Sequence, residues 1–272
     1  SYLFNSGIAG IERADRILLI GTNPRVEAPI INARIRKAWL ADLGLKIGVI
    51  GETPKLTYDY ERLGVGAENF AQGADFLRGA ERPLIIVGIG AIARTDGAAI
   101  LAEIAALAAS AGAVKDGWNG FNILHLAAAR VAALDLGFLP KAGGRDFAGI
   151  LSGVAEGAID VVYNLGCDEF DASKLKDAFV VYQGHHGDAG ARHADVIFPG
   201  AAYVEQSGTY VNTEGRAQMT ARAHFPYGEA REDWAIIRAL SDRIDKTLPY
   251  DDVLALRQAM ISDAPALGRI GQ

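Results

Sequence analysis

Residues 17–24 read Ile17-Leu18-Leu19-Ile20-Gly21-Thr22-Asn23-Pro24, an apolar run that ends in a glycine-containing turn. A short apolar run bounded by turn residues is typical of a strand that is buried on both faces. Further along, Ile31, Ile35 and Ala38 recur at helical spacing and share one face, and Lys46–Ile50 is a second apolar run. Because strands joined through a helix usually lie parallel in one sheet, this strand–helix–strand pattern predicts an α/β fold.

The composition is that of a globular protein large enough for two domains. The 272 residues are 50% hydrophobic and 22% charged, with a formal net charge of -6. Nucleic-acid binding requires a surplus of clustered Lys and Arg, so the acidic balance argues against it. The single cysteine, Cys167, excludes an internal disulfide and any all-cysteine iron–sulfur cluster or cysteine-rich zinc site built within this chain.

Two Rossmann-like units with mainly parallel sheets are expected along the chain. The first covers residues 1–80, and a polar, glycine-punctuated segment at 61–80 places the boundary near Arg82. The second unit covers residues 81–246, and residues 247–272 form a C-terminal tail. Further strands are predicted at 84–87, 159–165, 179–183 and 196–198, and helices at 8–14, 97–114, 122–136 and 234–244.

The alanine-rich segment Gly97–Val114 is the longest weakly polar stretch. It nearly reaches membrane-spanning length, but it carries Glu103. Large apolar residues such as Ile104 and Leu107 lie on one helical face, which favours a helix packed on a protein core over a transmembrane helix. Ser1, at the start of the chain, is neither an initiator Met nor part of a secretory leader, so the chain is expected to begin inside a longer polypeptide.

Two short patterns allow both a binding and a structural interpretation. Gly88-x-Gly90-x-x-Ala93 follows a predicted strand and resembles a dinucleotide fingerprint, yet no acidic residue closes a second strand about 20 residues later. We favour an ordinary glycine turn over an NAD site. His185-His186-x-Asp188 has the residue types of a metal site, but adjacent histidines on an extended segment point to opposite sides. A polar loop is the favoured interpretation there.

A longer motif is more specific. It reads Ala194-Asp195-Val196-Ile197-Phe198-Pro199, then Glu205, then Asn212-Thr213-Glu214-Gly215-Arg216-Ala217-Gln218. This order is similar to the molybdopterin-dependent oxidoreductases, in which an "ADVVLP" strand is followed by "E" and then by "N-x-E-G-R-x-Q". Gly21-Thr22-Asn23-Pro24 resembles the same family's "G-x-N-P" turn. The resemblance covers nearly the whole chain and implies the α/β fold of formate dehydrogenases and DMSO reductases.

A narrower resemblance is to the large iron–sulfur subunits of NADH:quinone oxidoreductases, the proton-pumping enzymes of respiratory complex I. It is carried by Tyr182–Asp188, Tyr210–Gln218, Arg231–Trp234 and Leu248–Asp251. The resemblance implies that 4Fe–4S and 2Fe–2S clusters lie in a cysteine-rich region upstream of this chain. It further implies that this part has no cofactor, metal ligand or catalytic residue of its own and serves as scaffold.

The same resemblance implies partners and a location. The partners would be other peripheral-arm subunits of complex I. The protein would lie at the cytoplasmic face of a bacterial inner membrane, or on the matrix side in mitochondria, without inserting into the membrane.

Loops at the strand ends of active family members hold a pterin–guanine dinucleotide. Where the family has Asp-Pro-Arg after the second strand, this chain reads Gly51-Glu52-Thr53. The resemblance therefore implies at most a vestigial pocket, and its expected positions are Gly21, Thr22, Asn23, Gly184, His185 and Asp188. Glu214 and Arg216 are expected to form an internal ion pair rather than to bind a ligand.

Three functions stay open at this point. The first is a structural domain of the complex I subunit. The second is the middle part of an active molybdopterin-dependent oxidoreductase, whose metal-ligating residue would lie upstream. The third is a stand-alone nucleotide-binding enzyme that uses Gly88 and Gly90, which would bind NAD saturably.

Overall fold

A computed structural model describes residues 2–42, 44–52 and 54–271. The chain forms two compact units, Ser1–Val131 with Val211–Arg216, and Ala132–Tyr210 with Ala217–Gln272. Each unit contains a parallel sheet of its own, which confirms the predicted α/β fold with mainly parallel sheets.

A five-stranded parallel sheet forms the centre of the first unit. Its strand order is β3-β2-β1-β4-β7, and the register places Ile17 between Ile47 and Leu84. The strands of the whole first unit are β1 (Arg16–Ile20), β2 (Lys46–Ile50), β3 (Glu61–Gly64), β4 (Pro83–Gly88), β5 (Val114–Lys115), β6 (Trp118–Asn119) and β7 (Phe121–Leu124); β5 and β6 lie outside the five-stranded sheet. The helices are α1 (Pro24–Glu27), α2 (Pro29–Ala41), α3 (Phe70–Leu77), α4 (Ile89–Ile92) and α5 (Gly97–Ser110), preceded by a 3-10 helix at Ile8–Arg13.

Alternate side chains of β1 pack on opposite faces of this sheet. Ile17 lies in one buried cluster with Ile35 of α2, and Leu18 lies in another with Ile104 of α5. All four side chains are fully buried. A parallel sheet that is covered by helices on both faces requires continuous apolar strands, which explains the unbroken run Ile17–Ile20.

The first unit is larger than the sequence suggested. Strand β4 pairs with β1, with Ile85 beside Leu18, so the expected boundary near Arg82 falls inside the first unit. The segment 61–80 holds β3 and α3 rather than a linker. An apolar run does not by itself reveal which sheet it will join, and this is why the division at 80 and 81 differs from the structure.

The predicted helix at 122–136 is wrong over its first part. Residues Phe121–Leu124 form β7, which pairs in parallel with β4 and buries Ile123 and Leu124. Helix α6 covers only Arg130–Asp135. Pairing with the edge of a buried sheet outweighs the helical spacing of a few apolar residues.

The second unit contains a smaller parallel sheet with the order β10-β9-β8. One face of this sheet is covered, and the side chains buried there are Val154, Leu175 and Val180. The strands are β8 (Val161–Leu165), β9 (Phe179–Gly184), β10 (Val196–Pro199), β11 (Thr209–Val211, shared with the first unit) and β12 (Ala217–Met219). The helices are α7 (Phe147–Ala155), α8 (Ala189–Arg192), α9 (Asp233–Arg243) and α10 (Val253–Asp263), with 3-10 helices at Ala172–Leu175 and Pro265–Gly268.

The segment expected as a C-terminal tail is part of the second unit. Asp252 begins α10 by accepting hydrogen bonds of 2.8 Å from the backbone N–H groups of Leu254 and Ala255. Leu267, in the following 3-10 helix, is buried. None of the helices in the described ranges is long and apolar enough to cross a membrane, and α5 packs on the core through Ile104 as its spacing predicts.

Candidate functional site

A cavity of about 1030 Å³ opens at the carboxyl edge of the first sheet. It lies where the loops after β1, β2 and β4 meet, and its walls include Gly21, Gly51 and Gly90. The chain leaves β1 on one side toward β2, while β4 pairs on the other side, so this is the topological switch point of the sheet. Ligands of open α/β proteins bind in this crevice. The cavity is the candidate site of the first unit.

Glycines at the cavity pack one loop against another. Gly21 has a φ of 59°, and a side chain there would lie 2.7 Å from Ala91. A Cβ at Gly88 would overlap the carbonyl oxygen of Gly21, and one at Gly90 would lie 2.9 Å from it. The glycines at and after the end of β4 therefore allow the backbone there to pack against the loop after β1. This contact favours the glycine turn over the NAD fingerprint.

The carboxylate of Glu27 occupies the turn after β1. Its Oε1 accepts a hydrogen bond of 2.5 Å from the backbone N–H of Asn23, and its Oε2 accepts one of 3.0 Å from the hydroxyl of Thr22. Pro24 begins α1 and contributes no N–H to this turn. A carboxylate of this chain thus accepts hydrogen bonds from two groups of the turn after β1.

The cavity is acidic. Its described walls carry four carboxylates and two basic side chains, so the local charge repels polyanions. The acids are Glu27, Glu52, Glu68 and Asp96, and the bases are Lys55 and Arg94.

One of those two bases is already engaged. The guanidinium of Arg94 donates to Asp96 through two hydrogen bonds, Nε to Oδ1 at 2.8 Å and Nη2 to Oδ2 at 2.9 Å. The bond from Arg94 holds the pKa of Asp96 below its usual value. The pair uses two of the five N–H donors of Arg94, and both side chains are about half exposed.

In the second unit, the expected pocket positions lie after β9. Asp188 Oδ1 accepts a hydrogen bond of 3.0 Å from Ala191 N–H and begins α8, while its Oδ2 accepts a hydrogen bond from the Tyr182 hydroxyl. Burial by itself would raise the pKa of Asp188, but these hydrogen bonds, with one from Gly190, lower it below the usual value. Burial and the neighbouring Asp188 raise the pKa of Tyr182. Both acceptor atoms of Asp188 are thus used within the protein.

The adjacent histidines of this loop lie side by side and do not point to opposite sides as expected, because the chain bends at these two residues. The ring centroids of His185 and His186 are 4.3 Å apart, with the planes at 65°. Both residues are exposed. Among the residues that the structure describes, no group of three or more His, Cys, Asp or Glu side chains could hold a metal ion.

The predicted positions are distributed over the two units. Gly21, Thr22 and Asn23 line the first-unit cavity together. Gly184, His185 and Asp188 belong to the β9 loop of the second unit. Thr53, part of the departure from the family's Asp-Pro-Arg, lies outside the described residues, while its neighbour Glu52 lines the cavity.

Sequence reasoning missed Glu27, Glu68, Arg94 and Asp96 as cavity residues. For Glu27 a signal was available in its position four residues after Asn23, at the first turn beyond β1. No pattern in the sequence pointed to the other three, because they enter the cavity through loops whose paths the sequence does not define.

A parallel sheet with helices on both faces and a crevice at its switch point defines a Rossmann-like α/β protein. Comparison with known proteins then gives the family. The chain belongs to the molybdopterin oxidoreductase family, whose model matches residues 1–243.

Similar curated proteins are named as parts of mitochondrial NADH-ubiquinone oxidoreductase or NADH dehydrogenase. The chain is 47% identical over 98% of its length to the mitochondrial NADH-ubiquinone oxidoreductase 78 kDa subunit of Neurospora crassa, and 49% identical over 99% to that of Candida albicans. It is 42% identical over 98% to the mitochondrial NADH dehydrogenase (ubiquinone) iron-sulfur protein 1 of Solanum tuberosum. The aligned region spans 36%, 37% and 36% of these relatives, so the chain covers about a third of their length.

A solved structure supports the fold. Acetylene hydratase from Pelobacter acetylenicus matches 96% of this chain and 53% of its own with a TM-score of 0.67 and 14% identity. At this identity the match shows the shared α/β fold and carries no statement about activity.

Proposed function

We propose that this chain is a structural and assembly domain of the large iron–sulfur subunit of a proton-pumping NADH:quinone oxidoreductase, without a redox centre of its own. The printed names of the relatives and their identity of 42 to 49% support the assignment to this subunit. The structural role rests on the first-unit cavity, which is where the family would place a cofactor.

The observation that carries the proposal is the hydrogen bonding of Glu27. Its carboxylate accepts hydrogen bonds from the Asn23 N–H and the Thr22 hydroxyl, two donors of the β1 turn at the cavity. Displacing a carboxylate from charge-assisted hydrogen bonds costs about 1 to 3 kcal/mol, which a ligand would have to supply.

The other cavity residues do not fit a molybdopterin dinucleotide either. Such a ligand carries a pyrophosphate and needs cations or free backbone N–H groups. The described walls offer more acids than bases, and Arg94 is paired with Asp96. Glycines that usually let a backbone approach a pyrophosphate are used here for contact with Gly21. We therefore derive no chemistry from that cofactor in this chain.

The partners and location belong to the same proposal. The domain would contact neighbouring peripheral-arm subunits and buttress the segment that carries the 4Fe–4S and 2Fe–2S clusters. It would lie at the cytoplasmic face of a bacterial inner membrane, or on the matrix side of the mitochondrial one, as a peripheral part.

The test uses the purified, assembled enzyme that contains this chain. Molybdenum is measured by elemental analysis, and any pterin is released by heat, oxidised with iodine and detected by fluorescence, with an active molybdopterin oxidoreductase as positive control. We expect substoichiometric background for both in the enzyme. One molybdenum and one pterin per complex would overturn the proposal.

A second candidate, the middle part of an active molybdopterin oxidoreductase, is favoured by two observations. The family model covers residues 1–243, and the switch-point cavity has a volume of about 1030 Å³. This volume lies at the upper end of the range of typical small-ligand pockets, which is roughly 300 to 1,000 Å³. The molybdenum and pterin measurements separate the two candidates, since stoichiometric values are the outcome that this second function requires.

A further inference from the structure

The cavity of the first unit has two free carboxylates on its wall. Glu27 and Asp96 are engaged by hydrogen bonds from groups of the chain. Glu52 and Glu68 also line the cavity, and within the described ranges neither carboxylate has a hydrogen bond or an ion pair. Both residues are exposed. These two carboxylates can therefore accept hydrogen bonds from a donor that enters the cavity.

A third acceptor lies at the turn after β1. Asn23 lines the cavity, and its Oδ1 is buried without a hydrogen-bond partner among the described residues. Buried acceptors in native proteins are nearly always paired, because leaving one unpaired costs free energy. This amide oxygen carries no charge and is independent of the acidic side chains. It indicates the same need, a hydrogen-bond donor at this end of the cavity.

The charge of the cavity defines the sign of such a donor. Its described walls carry four carboxylates and two basic side chains, which leaves a net charge of -2. Arg94 is paired with Asp96, so Lys55 is the other base beside the two free acids. An anion would meet net repulsion here, whereas a cation would be attracted. A donor with positive charge satisfies both conditions.

A single metal ion does not match the arrangement of these acids. Among the residues that the structure describes, no three acidic side chains of this cavity come close enough together to hold one ion. Calcium and magnesium ions are bound by six or more oxygens that converge on one point. Carboxylates that are spread around a cavity instead suit a cation whose charges are spread along a chain.

Part of the cavity wall is apolar. Ile20 ends β1 and Ile50 ends β2, and Phe70 begins α3 beside them. Ile100 of α5 lines the same space. Methylene groups gain free energy when they leave water for an apolar surface of this kind. A ligand with methylene segments between its charged nitrogens therefore matches both parts of the wall.

We propose that the first-unit cavity binds an aliphatic polyamine, with its ammonium groups on Glu52, Glu68 and the Asn23 amide oxygen. Its methylene segments lie on the apolar part of the wall. An ammonium group donates hydrogen bonds and accepts none, so it suits a cavity whose free groups are acceptors. The inference deepens the proposed function and rests on it, because a chain that held a molybdopterin here would have no free cavity.

The test uses the purified, assembled enzyme that contains the full-length chain. The enzyme is irradiated with azidobenzoyl-spermine, a polyamine that carries a photoreactive aryl azide, with and without excess spermidine. Mass spectrometry of the digest identifies the labelled peptides. Two matched competitors replace spermidine: octanediol has a methylene chain without charge, and magnesium chloride has a divalent cation without a chain.

Three variants decide whether the cavity is the site. Glu52→Gln and Glu68→Gln each remove one free carboxylate, and glutamine keeps the size of the side chain. The control is Glu103→Gln, which removes an exposed acid of α5 that does not line the cavity. Each cavity variant should require roughly two- to fivefold more spermidine for half protection, as expected for the loss of one partly exposed ion pair. Glu103→Gln should require the same amount as the unmodified protein.

We expect label on peptides that contain Asn23, Glu52 or Glu68, and protection by spermidine but not by octanediol or magnesium chloride. No label on these peptides would overturn the inference. Equal protection by either competitor, or an equal response of Glu103→Gln and the cavity variants, would also overturn it.

Molybdenum and pterin are measured on the same sample, so that the two proposals can fail separately. One molybdenum and one pterin per complex would count against the proposed function. An enzyme that lacks both and still shows no label at the cavity would refute the polyamine site alone.

Discussion

The carboxylate of Glu214 accepts a hydrogen bond of 2.8 Å from the backbone N–H of Ile8, which lies 206 residues earlier in the chain. Ile8 begins a 3-10 helix whose preceding residue, Gly7, offers no side chain to cap it. The same carboxylate lies 3.6 Å from Arg216 Nε, so the ion pair expected from the sequence is present. The motif at Asn212–Arg216 thus hydrogen-bonds to the start of the first unit and stabilises it, which is a structural role.

This arrangement predicts unequal effects for the two partners. Glu214→Ala leaves the Ile8 N–H without its acceptor and should lower the free energy of unfolding by about 1 to 3 kcal/mol. Arg216→Ala removes a half-exposed ion pair and should cost less than about 1 kcal/mol. Urea unfolding followed by circular dichroism measures both. Glu214→Gln is the control, because it keeps a carbonyl acceptor, and a cost for Arg216→Ala equal to that of Glu214→Ala would contradict the account.

Glu27 should stabilise the turn after β1. Glu27→Ala leaves the Asn23 N–H and the Thr22 hydroxyl unpaired, and should destabilise the protein by about 1 to 3 kcal/mol. Glu27→Gln keeps a carbonyl acceptor and should recover part of the lost melting temperature. Thermal unfolding of the two variants and the unmodified protein measures this.

The matched control for that experiment is Glu68→Ala, which removes an exposed acid from the same cavity. Its melting temperature should stay close to that of the unmodified protein. An equal loss in Glu27→Ala and Glu68→Ala would show that Glu27 has no special place in the turn.

Gly88 should be needed for packing. The side chain of Gly88→Ala would overlap the carbonyl oxygen of Gly21, so the β1 and β4 loops must separate, at a cost of about 1 to 3 kcal/mol or more. Gly187→Ala is the control, since no atom lies within 4 Å of a Cβ there. Denaturant unfolding compares them. An unchanged stability of Gly88→Ala would remove the packing role assigned to this glycine.

The Asp188 and Tyr182 pair predicts a dependence of stability on acid. The pKa of Asp188 is lowered in the folded protein, so the ionised carboxylate contributes fully to the free energy of unfolding above the ordinary aspartate pKa of 3.8. This contribution should be lost as the pH falls through the lowered pKa of Asp188. Urea midpoints between pH 6 and pH 2 should therefore fall less steeply for Asp188→Asn than for the unmodified protein. Tyr182→Phe removes one hydrogen bond that lowers the pKa of Asp188. The slope of its urea midpoint against pH should therefore lie between those of Asp188→Asn and the unmodified protein.

The sequence was sufficient wherever a local pattern decides the structure. Apolar runs defined β1, β2, β4 and the three strands of the second sheet, and helical spacing defined α2, α5 and α9. The motif from Ala194 to Gln218 identified the family that the comparison confirms. Side-chain burial on a strand or helix follows a period of a few residues, so these elements can be predicted from the sequence without knowledge of the fold.

Only the tertiary structure decided which elements share a sheet and what fills the site. Residues 122–124 were predicted as the start of a helix but lie in β7, because β4 offers a free edge beside them. The position of Glu27 in the β1 turn, the pairing of Arg94 with Asp96 and the exposure of Val161 and Phe179 depend on chain segments meeting in space. Such contacts have no period along the sequence, since their free energy comes from neighbours that folding alone brings together.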